Sequence, residues 1–334
     1  MQKNVYQSIL ITSISRKVWI INYLRNAIRK MDLENRFHIV ATDVNKYAAG
    51  MLIADHAFLS IPSSSSEYFE FILKNAHKFN VKLILPTRNG ELEFFSVKAP
   101  DFEEEDIIVP ISEPSTIRTC LDKVSFAKWI EKNNYKTPNI LDPSNISEIN
   151  NEQLFVKPRF GAGSTWAMKI RANNTLDLLK INPDLIIQEF IPGREITMDV
   201  FSSLNSQVLS IVPRERICIV RGETHVGKTI NNEKIIKETL EISNKLNLKG
   251  PSTFQCIIDE NKEIFWIEVN PRIGGAAALG FEAGNQTPEN IVRLAAGKKI
   301  ISTLRDYLVN LHLFRFSTDM FLEQGDFNDR IRDF

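Results

Sequence analysis

Short apolar runs alternate with helical patterns over residues 7–110. Ser8-Ile-Leu-Ile11, Phe37-His-Ile-Val-Ala41, Leu83-Ile-Leu85 and Ile107-Ile-Val109 read as strands, and Val18 to Lys30 and Tyr68 to Phe79 as helices. Strands that alternate with helices predict a parallel sheet covered by helices on its faces. The pattern breaks at Pro110–Pro114, and a helix is predicted over Leu121 to Asn133, with Asp122 near its start and Pro138 beyond its end. From Leu154 onward, longer strands are joined by tight turns. Asn231 to Leu246 reads as one amphipathic helix with Ile235, Thr239, Ile242 and Leu246 on a single stripe, and Leu308 to Phe316 as one added strand.

The most informative pattern is Ile264-Phe-Trp-Ile-Glu-Val-Asn-Pro-Arg-Ile-Gly-Gly275. In a regular strand Phe265, Ile267 and Val269 face one way and Glu268 and Asn270 the other, with the latter two Cα atoms about 6.7 Å apart. A carboxylate and an amide oxygen at that spacing suit a hard cation such as Mg²⁺. Arg272 lies just beyond, where an anion attached to that cation would sit. Thr253-Phe-Gln-Cys-Ile-Ile258 and the polar loop Asp259–Lys262 complete a hairpin. Simple pairing sets Gln255 opposite Trp266 and on the Glu268/Asn270 face, and a slip of one residue would turn it away.

Composition narrows the function classes. The 334 residues carry 41 Lys plus Arg and 41 Asp plus Glu, so no global positive field points to nucleic acid or a membrane surface. No apolar run is long enough to span a bilayer, and Met1–Gln7 has no signal-peptide pattern, so a cytoplasmic location is expected. The three cysteines, Cys120, Cys218 and Cys256, have no metal-ligand spacing and are expected reduced and buried. The turn Thr12-Ser-Ile-Ser-Arg-Lys17 between the first strand and helix lacks glycine, which argues against a dinucleotide site. Asp43, at the end of the second strand, is read as a structural or capping residue.

Three further segments carry candidate chemistry. Leu154-Phe-Val-Lys-Pro-Arg-Phe-Gly-Ala-Gly-Ser-Thr165 ends a strand on Lys157 and follows it with Gly161, Gly163 and Ser164. Backbone amides and a lysine so placed suit a triphosphate, although a bare hairpin turn fits equally. Asp184-Leu-Ile-Ile-Gln-Glu-Phe-Ile-Pro-Gly-Arg-Glu195 sets Gln188 and Glu189 inside an apolar strand: its edge backbone suits an adenine and Glu195 a ribose, and an edge strand with solvated acids is the plainer alternative. Arg214, Arg216, Arg221 and Lys228 form a basic cluster that suits an anion or a solvated sheet face.

Taken in order, Asp122-Lys123, Val156-Lys-Pro-Arg-Phe-Gly-Ala-Gly-Ser164, Gln188-Glu-Phe-Ile-Pro-Gly-Arg-Glu195, Gly250-Pro-Ser-Thr-Phe-Gln255, Ile267-Glu-Val-Asn-Pro-Arg-Ile-Gly-Gly275 and Glu282-Ala-Gly284 resemble the ATP-grasp superfamily, especially the carbamoyl-phosphate synthetase large chain and stand-alone carboxylate–amine ligases. The resemblance implies a mixed α/β and α+β protein: a Rossmann-like pre-ATP-grasp domain at 1–113, a two-lobed ATP-grasp domain at 114–320 with its small lobe at about 120–190, and a tail at 321–334. It implies that Lys123 and Lys157 contact ATP phosphates, that the glycine-loop segment with Gly161, Gly163 and Ser164 acts as a lid, and that Gln188, Glu189, Phe190 and Ile191 line the adenine pocket while Glu195 holds the ribose. It also implies that Gln255, Glu268 and Asn270 carry Mg²⁺ or Mn²⁺ and that Arg272 meets the transferred phosphate or an acyl phosphate, with Arg214 or Arg216 assisting.

The implied activity is ATP-dependent joining of a small-molecule carboxylate to an amine. The alternatives are carbamoyl-phosphate-synthetase-like phosphorylation of bicarbonate and carbamate, or a regulatory ATP-binding module without chemistry. Dimerisation is common among such relatives, so a homodimer is among the expected partners. One departure stands out: Pro86-Thr-Arg-Asn-Gly-Glu-Leu92 matches a loop that usually carries an acid before Glu91, and here Arg88, Asn89 and Gly90 occupy it.

Overall fold

A computed structural model describes residues 6–144, 153–161, 166–171 and 175–331. Its N-terminal part interleaves β1 (Gln7–Thr12), α1 (Val18–Lys30), β2 (Phe37–Asp43), α2 (Ala49–Ile53), β3 (His56–Leu59), α3 (Tyr68–Lys78), β4 (Val81–Pro86) and α4 (Asn89–Glu104). The four strands form a parallel sheet in the order β3-β2-β1-β4. β1 is central, so both its faces are covered, which is why Ser8-Ile-Leu-Ile11 reads as an uninterrupted apolar run. The predicted strand at Ile107–Val109 is reduced to one parallel bridge between Ile108 and Leu83, because Pro110 has no N–H to extend the ladder.

The helix predicted over Leu121–Asn133 is α6 (Lys123–Lys132), and a further helix not predicted from the sequence, α5 (Pro114–Leu121), precedes it. The break falls at Asp122, whose backbone is extended at φ −97° and ψ 107°. Its side chain caps α6 by accepting the Val124 N–H at 3.0 Å. Pro114 starts the earlier helix, where a missing N–H costs nothing.

β5 (Gln153–Pro158), β6 (Met168–Arg171), α7 (Thr175–Ile181) and β7 (Leu185–Glu189) build a small antiparallel sheet ordered β6-β5-β7. The large sheet follows: β8 (Arg194–Ser202), β9 (Val208–Val220), β10 (Glu223–Thr229), α8 (Glu233–Lys245), β11 (Gly250–Ile258) and β12 (Ile264–Asn270). After α9 (Ala278–Ala283) and α10 (Thr287–Ala295), β13 (His312–Phe314) closes the order β12-β11-β8-β9-β10-β13, and α11 (Gln324–Ile331) ends the described chain. The Ile235, Thr239, Ile242 and Leu246 stripe of α8 is buried as its spacing predicts.

Two packing relations position the site. Ile20, Ile21 and Leu24 of α1 share one core with Ile291 and Val292 of α10 and with Ile273 and Ala277, so the N-terminal layer and the large sheet are joined by continuous apolar packing. Phe126 and Ile130 of α6 enter a second core with Trp266 and Val269 of β12. Cys120 and Cys256 are buried, as expected, but Cys218 is exposed; it lies on the outer half of β9, where Ile217, Ile219 and Val220 are exposed too, beyond the core.

Candidate functional site

The Gln255–Glu268 hairpin departs from simple pairing in a way that decides the site. At its closed end Ile258 opposes Ile264, one residue away from the expected register, and Cys256 opposes Trp266. A bulge follows, and Gln255 then opposes Glu268 directly. Ile267 is the extra residue of the bulged strand. Without it Gln255 would oppose Ile267; with it, Gln255 and Glu268 become a cross-strand pair on the cleft side. The bulge also corrects the expected grouping of Phe265, Ile267 and Val269: Val269 joins Ile264 and Trp266 in the core, whereas Ile267 joins Glu268 on the cleft wall.

The cleft has a volume of about 1340 Å³, larger than the roughly 300–1,000 Å³ of a site for one drug-sized ligand. The small sheet forms one wall. Leu154 and Val156 of β5 point into a small core with Ile187, so the alternate residues Phe155 and Lys157 face the cleft. The large sheet supplies Glu195, Thr197, Gln255 and Glu268, and the N-terminal layer supplies Lys17, Thr87, Arg88 and Asn89.

Charge in this cleft is unbalanced. Among the described residues eight cationic side chains line it against four carboxylates, although the whole chain is formally neutral. Lys157 is 4% exposed, and its ammonium has no hydrogen-bond or ion-pair partner among the described residues. Burial pushes its pKa down to about 8; Glu268 draws it up and the like charge of Lys123 lowers it further. Lys123, at the first position of α6, lies 3.9 Å from Glu268 and donates to the Gly161 carbonyl at 2.9 Å. Its pKa is lowered by burial and raised by Glu268 and Asp122. Arg159 grips Asp122 through two hydrogen bonds of 2.8 and 2.7 Å, tying the start of the glycine-loop segment to the cap of α6, and these bonds draw the Asp122 carboxyl down to about 2. Gly163 and Ser164 lie outside the described residues.

Glu268, Asn270 and Arg272 are linked by hydrogen bonds that reach the N-terminal layer. Asn270 Nδ2 donates to Glu268 Oε1 at 2.8 Å, Asn89 Nδ2 donates to Asn270 Oδ1 at 2.8 Å, and Arg272 Nε donates to Asn89 Oδ1 at 2.9 Å. Arg272 has no ion pair among the described residues, and burial lowers its pKa while Glu268 raises it. Oxygen donors from Gln255, Glu268 and Asn270 suit Mg²⁺, which prefers one or two carboxylates completed by water and phosphate. Turning the Asn270 oxygen toward the ion would exchange its bonds to Asn89 and Arg272. Among the described residues no group of three or more His, Cys, Asp or Glu side chains could hold a metal, so a cation here depends on the amides and on a nucleotide's own oxygens.

The other expected residues are distributed unevenly. Gln188, Glu189, Phe190, Ile191 and Glu195 all line the cleft. The outer edge of β7 is already used: Leu141 N–H donates to the Ile187 carbonyl and Glu189 N–H to that of Asn139. Gln188 Nε2 donates to the Pro138 carbonyl, and Asn139 N–H donates to the Glu189 carboxylate. Among the described residues, edge backbone without such bonds begins at Phe190 and Ile191. Arg216 holds Glu195 in an ion pair and also bonds Thr224 and the Gly222 carbonyl. Arg214 is bidentate to buried Asp199, at 2.6 and 2.9 Å. Asp43 accepts the Ser15 and Asn45 N–H groups, which is a structural role.

Lys17 and Thr87 were not singled out in the sequence, and both face the cleft. The available signal was their place just beyond the carboxyl ends of β1 and β4, where open parallel sheets bind ligands.

Residues 120–276 match the ATP-grasp domain family and residues 9–110 the PylC-like N-terminal domain. Two successive segments are thus similar to an N-terminal domain of that kind and to an ATP-grasp domain. Among curated proteins it is similar to D-alanine–D-alanine ligase B of Clostridium perfringens, 31% identical over 104 residues, which is 28% of this chain and 34% of the relative. It spans about a third of that relative's length. Among solved structures it superposes on the biotin carboxylase domain of Hydrogenobacter thermophilus 2-oxoglutarate carboxylase (TM-score 0.70, 17% identity, 91% of this chain and 73% of that one). It also superposes on the L-amino acid ligase of Bacillus licheniformis (TM-score 0.66, 16% identity, 88% and 75%). Among the described residues no helix is long and apolar enough to cross a membrane.

Proposed function

We propose that the protein is an ATP-dependent ligase that joins a small-molecule carboxylate to an amine, forming ADP and phosphate. The observation that carries this reading is the buried Lys157 ammonium, without a hydrogen-bond or ion-pair partner among the described residues, in one cleft with Lys123, Glu268 and Gln255. A buried cation without a counter-ion is costly, and a polyphosphate supplies the missing charge. The Clostridium relative's name, a ligase joining two amino acids, and that of the Bacillus L-amino acid ligase support the same chemistry.

In this reading Lys157 and Lys123 hold the phosphates, Phe190 and Ile191 offer edge backbone to the base, and Glu195, oriented by Arg216, accepts from the ribose. Gln255, Glu268 and Asn270 would hold Mg²⁺ or Mn²⁺, which when bound offsets phosphate charge during transfer. A substrate carboxylate oxygen takes the γ-phosphoryl group from ATP, releasing ADP. The amine then attacks the acyl carbon of the acyl phosphate, phosphate leaves and the amine sheds a proton. Arg272 faces the cleft where the acyl phosphate would form, and its guanidinium is held by Asn89 and Asn270. Arg214, committed to Asp199, shapes the cleft floor.

ADP release measured over a panel of carboxylate and amine pairs tests the reading. One pair should give turnover that needs both partners, and Glu268→Gln should lower it by at least about 100-fold, the scale of losing one key electrostatic contact. Full turnover in that variant would refute the assignment.

A further inference from the structure

The end of the cleft built by the N-terminal layer is cationic, and the nucleotide placement proposed above does not use it. Thr87, Arg88 and Asn89 form a three-residue stretch bracketed by two half-buried cations. Lys17 Nζ donates to Thr87 Oγ1 at 3.2 Å on one side, and Arg272 Nε donates to Asn89 Oδ1 at 2.9 Å on the other. Arg88 stands between them, exposed, its guanidinium held among the described residues by Ser13 Oγ at 3.4 Å and Ser63 Oγ at 3.1 Å. Lys17, Arg88 and Arg272 all line the same cleft.

The nearby acids are occupied. Glu91 is fully buried; Thr12 and Ser13 hydroxyls and the Thr87 and Arg88 N–H groups donate to it, and it does not line the cleft. Asp43 accepts the Ser15 and Asn45 N–H groups. Glu223 does line the cleft, but it pairs with Arg315 at 2.8 Å. Lys17 spends one N–H on the Ser13 carbonyl and one on Thr87, so a third is left for a ligand. Burial lowers its pKa to about 8; Glu91 and Asp43 draw it up, and Arg272 and Arg88 lower it further.

The backbone of this turn is strained to hold the arrangement. Ser13 and Ser15 both adopt φ of +48°, a region glycine enters at lower cost. Hydrogen bonds from Ser13 to Glu91 and from Ser15 N–H to Asp43 keep them there, and the Ser13 carbonyl is thereby aimed at Lys17. Residues held in sparsely populated conformations cluster at ligand sites.

We infer that Lys17 and Arg88 bind a second anionic group on the substrate whose reacting carboxylate meets Arg272, so that this substrate is a dianion such as a dicarboxylate or a phosphorylated acid. This rests on the ligase reading for the role of Arg272, and it adds a substrate class and two specificity residues. A monocarboxylate would leave the third N–H of the half-buried Lys17 without an anion to meet.

Titration calorimetry on the full chain tests this without turnover. Succinate, glutarate, adipate and 3-phosphonopropionate are compared with valerate as probes, and Mg-ADP is titrated separately. At least one dianion is expected to bind tenfold or more tightly than valerate. Lys17→Met and Arg88→Met should each cut that preference below threefold; Arg88 is exposed, so its variant keeps the fold. Tightest binding of 3-phosphonopropionate identifies the second group as a phosphate, and tightest binding of a diacid identifies it as a carboxylate. Equal binding of valerate and every dianion, or a preference that survives both substitutions, overturns the inference. Failure of Mg-ADP to bind while the dianion preference holds would instead sink the ligase reading.

Discussion

Replacing Lys157 by Met should remove a proton that the protein takes up when nucleotide binds. The ammonium is 4% exposed and burial holds its pKa near 8, against 10.5 for the free side chain. At pH 9 a group with pKa about 8 is about nine-tenths deprotonated, and phosphate contact that restores about 10.5 would draw in about 0.9 proton per site. The same linkage makes Mg-ATP affinity fall about tenfold between pH 7 and pH 9. The ligand-free fold shows the opposite trend. Below about pH 8 both folded and unfolded chains hold the proton and the folded one bears the burial cost; from about 8 to 10.5 only the unfolded chain keeps it, so stability rises by about 3 kcal/mol at 1.36 kcal/mol per pKa unit. Met keeps the apolar stem without the charge, so the ligand-free variant should be up to about 3 kcal/mol more stable at pH 7 while binding nucleotide more weakly. Calorimetry at pH 9 in two buffers of different ionisation enthalpy reads the proton count. Equal uptake in wild type and Lys157→Met would refute the claim that this lysine waits for an anion.

Asp199→Ala should destabilise by about 3–5 kcal/mol in urea unfolding, because Arg214, 2% exposed, is left buried without its carboxylate; a loss under 1 kcal/mol would show that water reaches the site. Gly250→Ala places a Cβ 1.9 Å from the Pro110 carbonyl oxygen at φ +71° and should cost about 2–3 kcal/mol, whereas Gly275→Ala, with nothing within 4 Å, should be near neutral. Thermal melts of the two side by side check the contrast.

Much of the site was legible because its chemistry sits at strand ends with a period of two. Lys157 follows directly from Leu154 and Val156 being core residues, and Glu268 and Gln255 were placed on one side from alternation together with a simple hairpin pairing. That placement held through a compensation no periodicity shows: the closed end of the hairpin is shifted by one residue and a bulge at Ile267 adds a second, so Gln255 opposes Glu268, two positions beyond Trp266. The start of α6 near Asp122 was legible, whereas the short α5 before it was not, because Pro114 read as a break although it is the first residue of that helix.

Local order and the family of motifs were set by the chain itself: where strands alternate with helices, which segments carry lysine, glutamate and arginine, and that no dinucleotide turn is present. Only the folded arrangement decided which charges lack partners. Arg214, Arg216 and Arg272 look alike in sequence, yet the first two meet Asp199 and Glu195 while the third meets only amides and a carbonyl. Lys17 and Arg88 lie 71 positions apart and reach one cleft because β1 and β4 are neighbours in a parallel sheet. The cost of burying a charge depends on everything packed around it, and contacts between distant segments exist only once the sheets have formed.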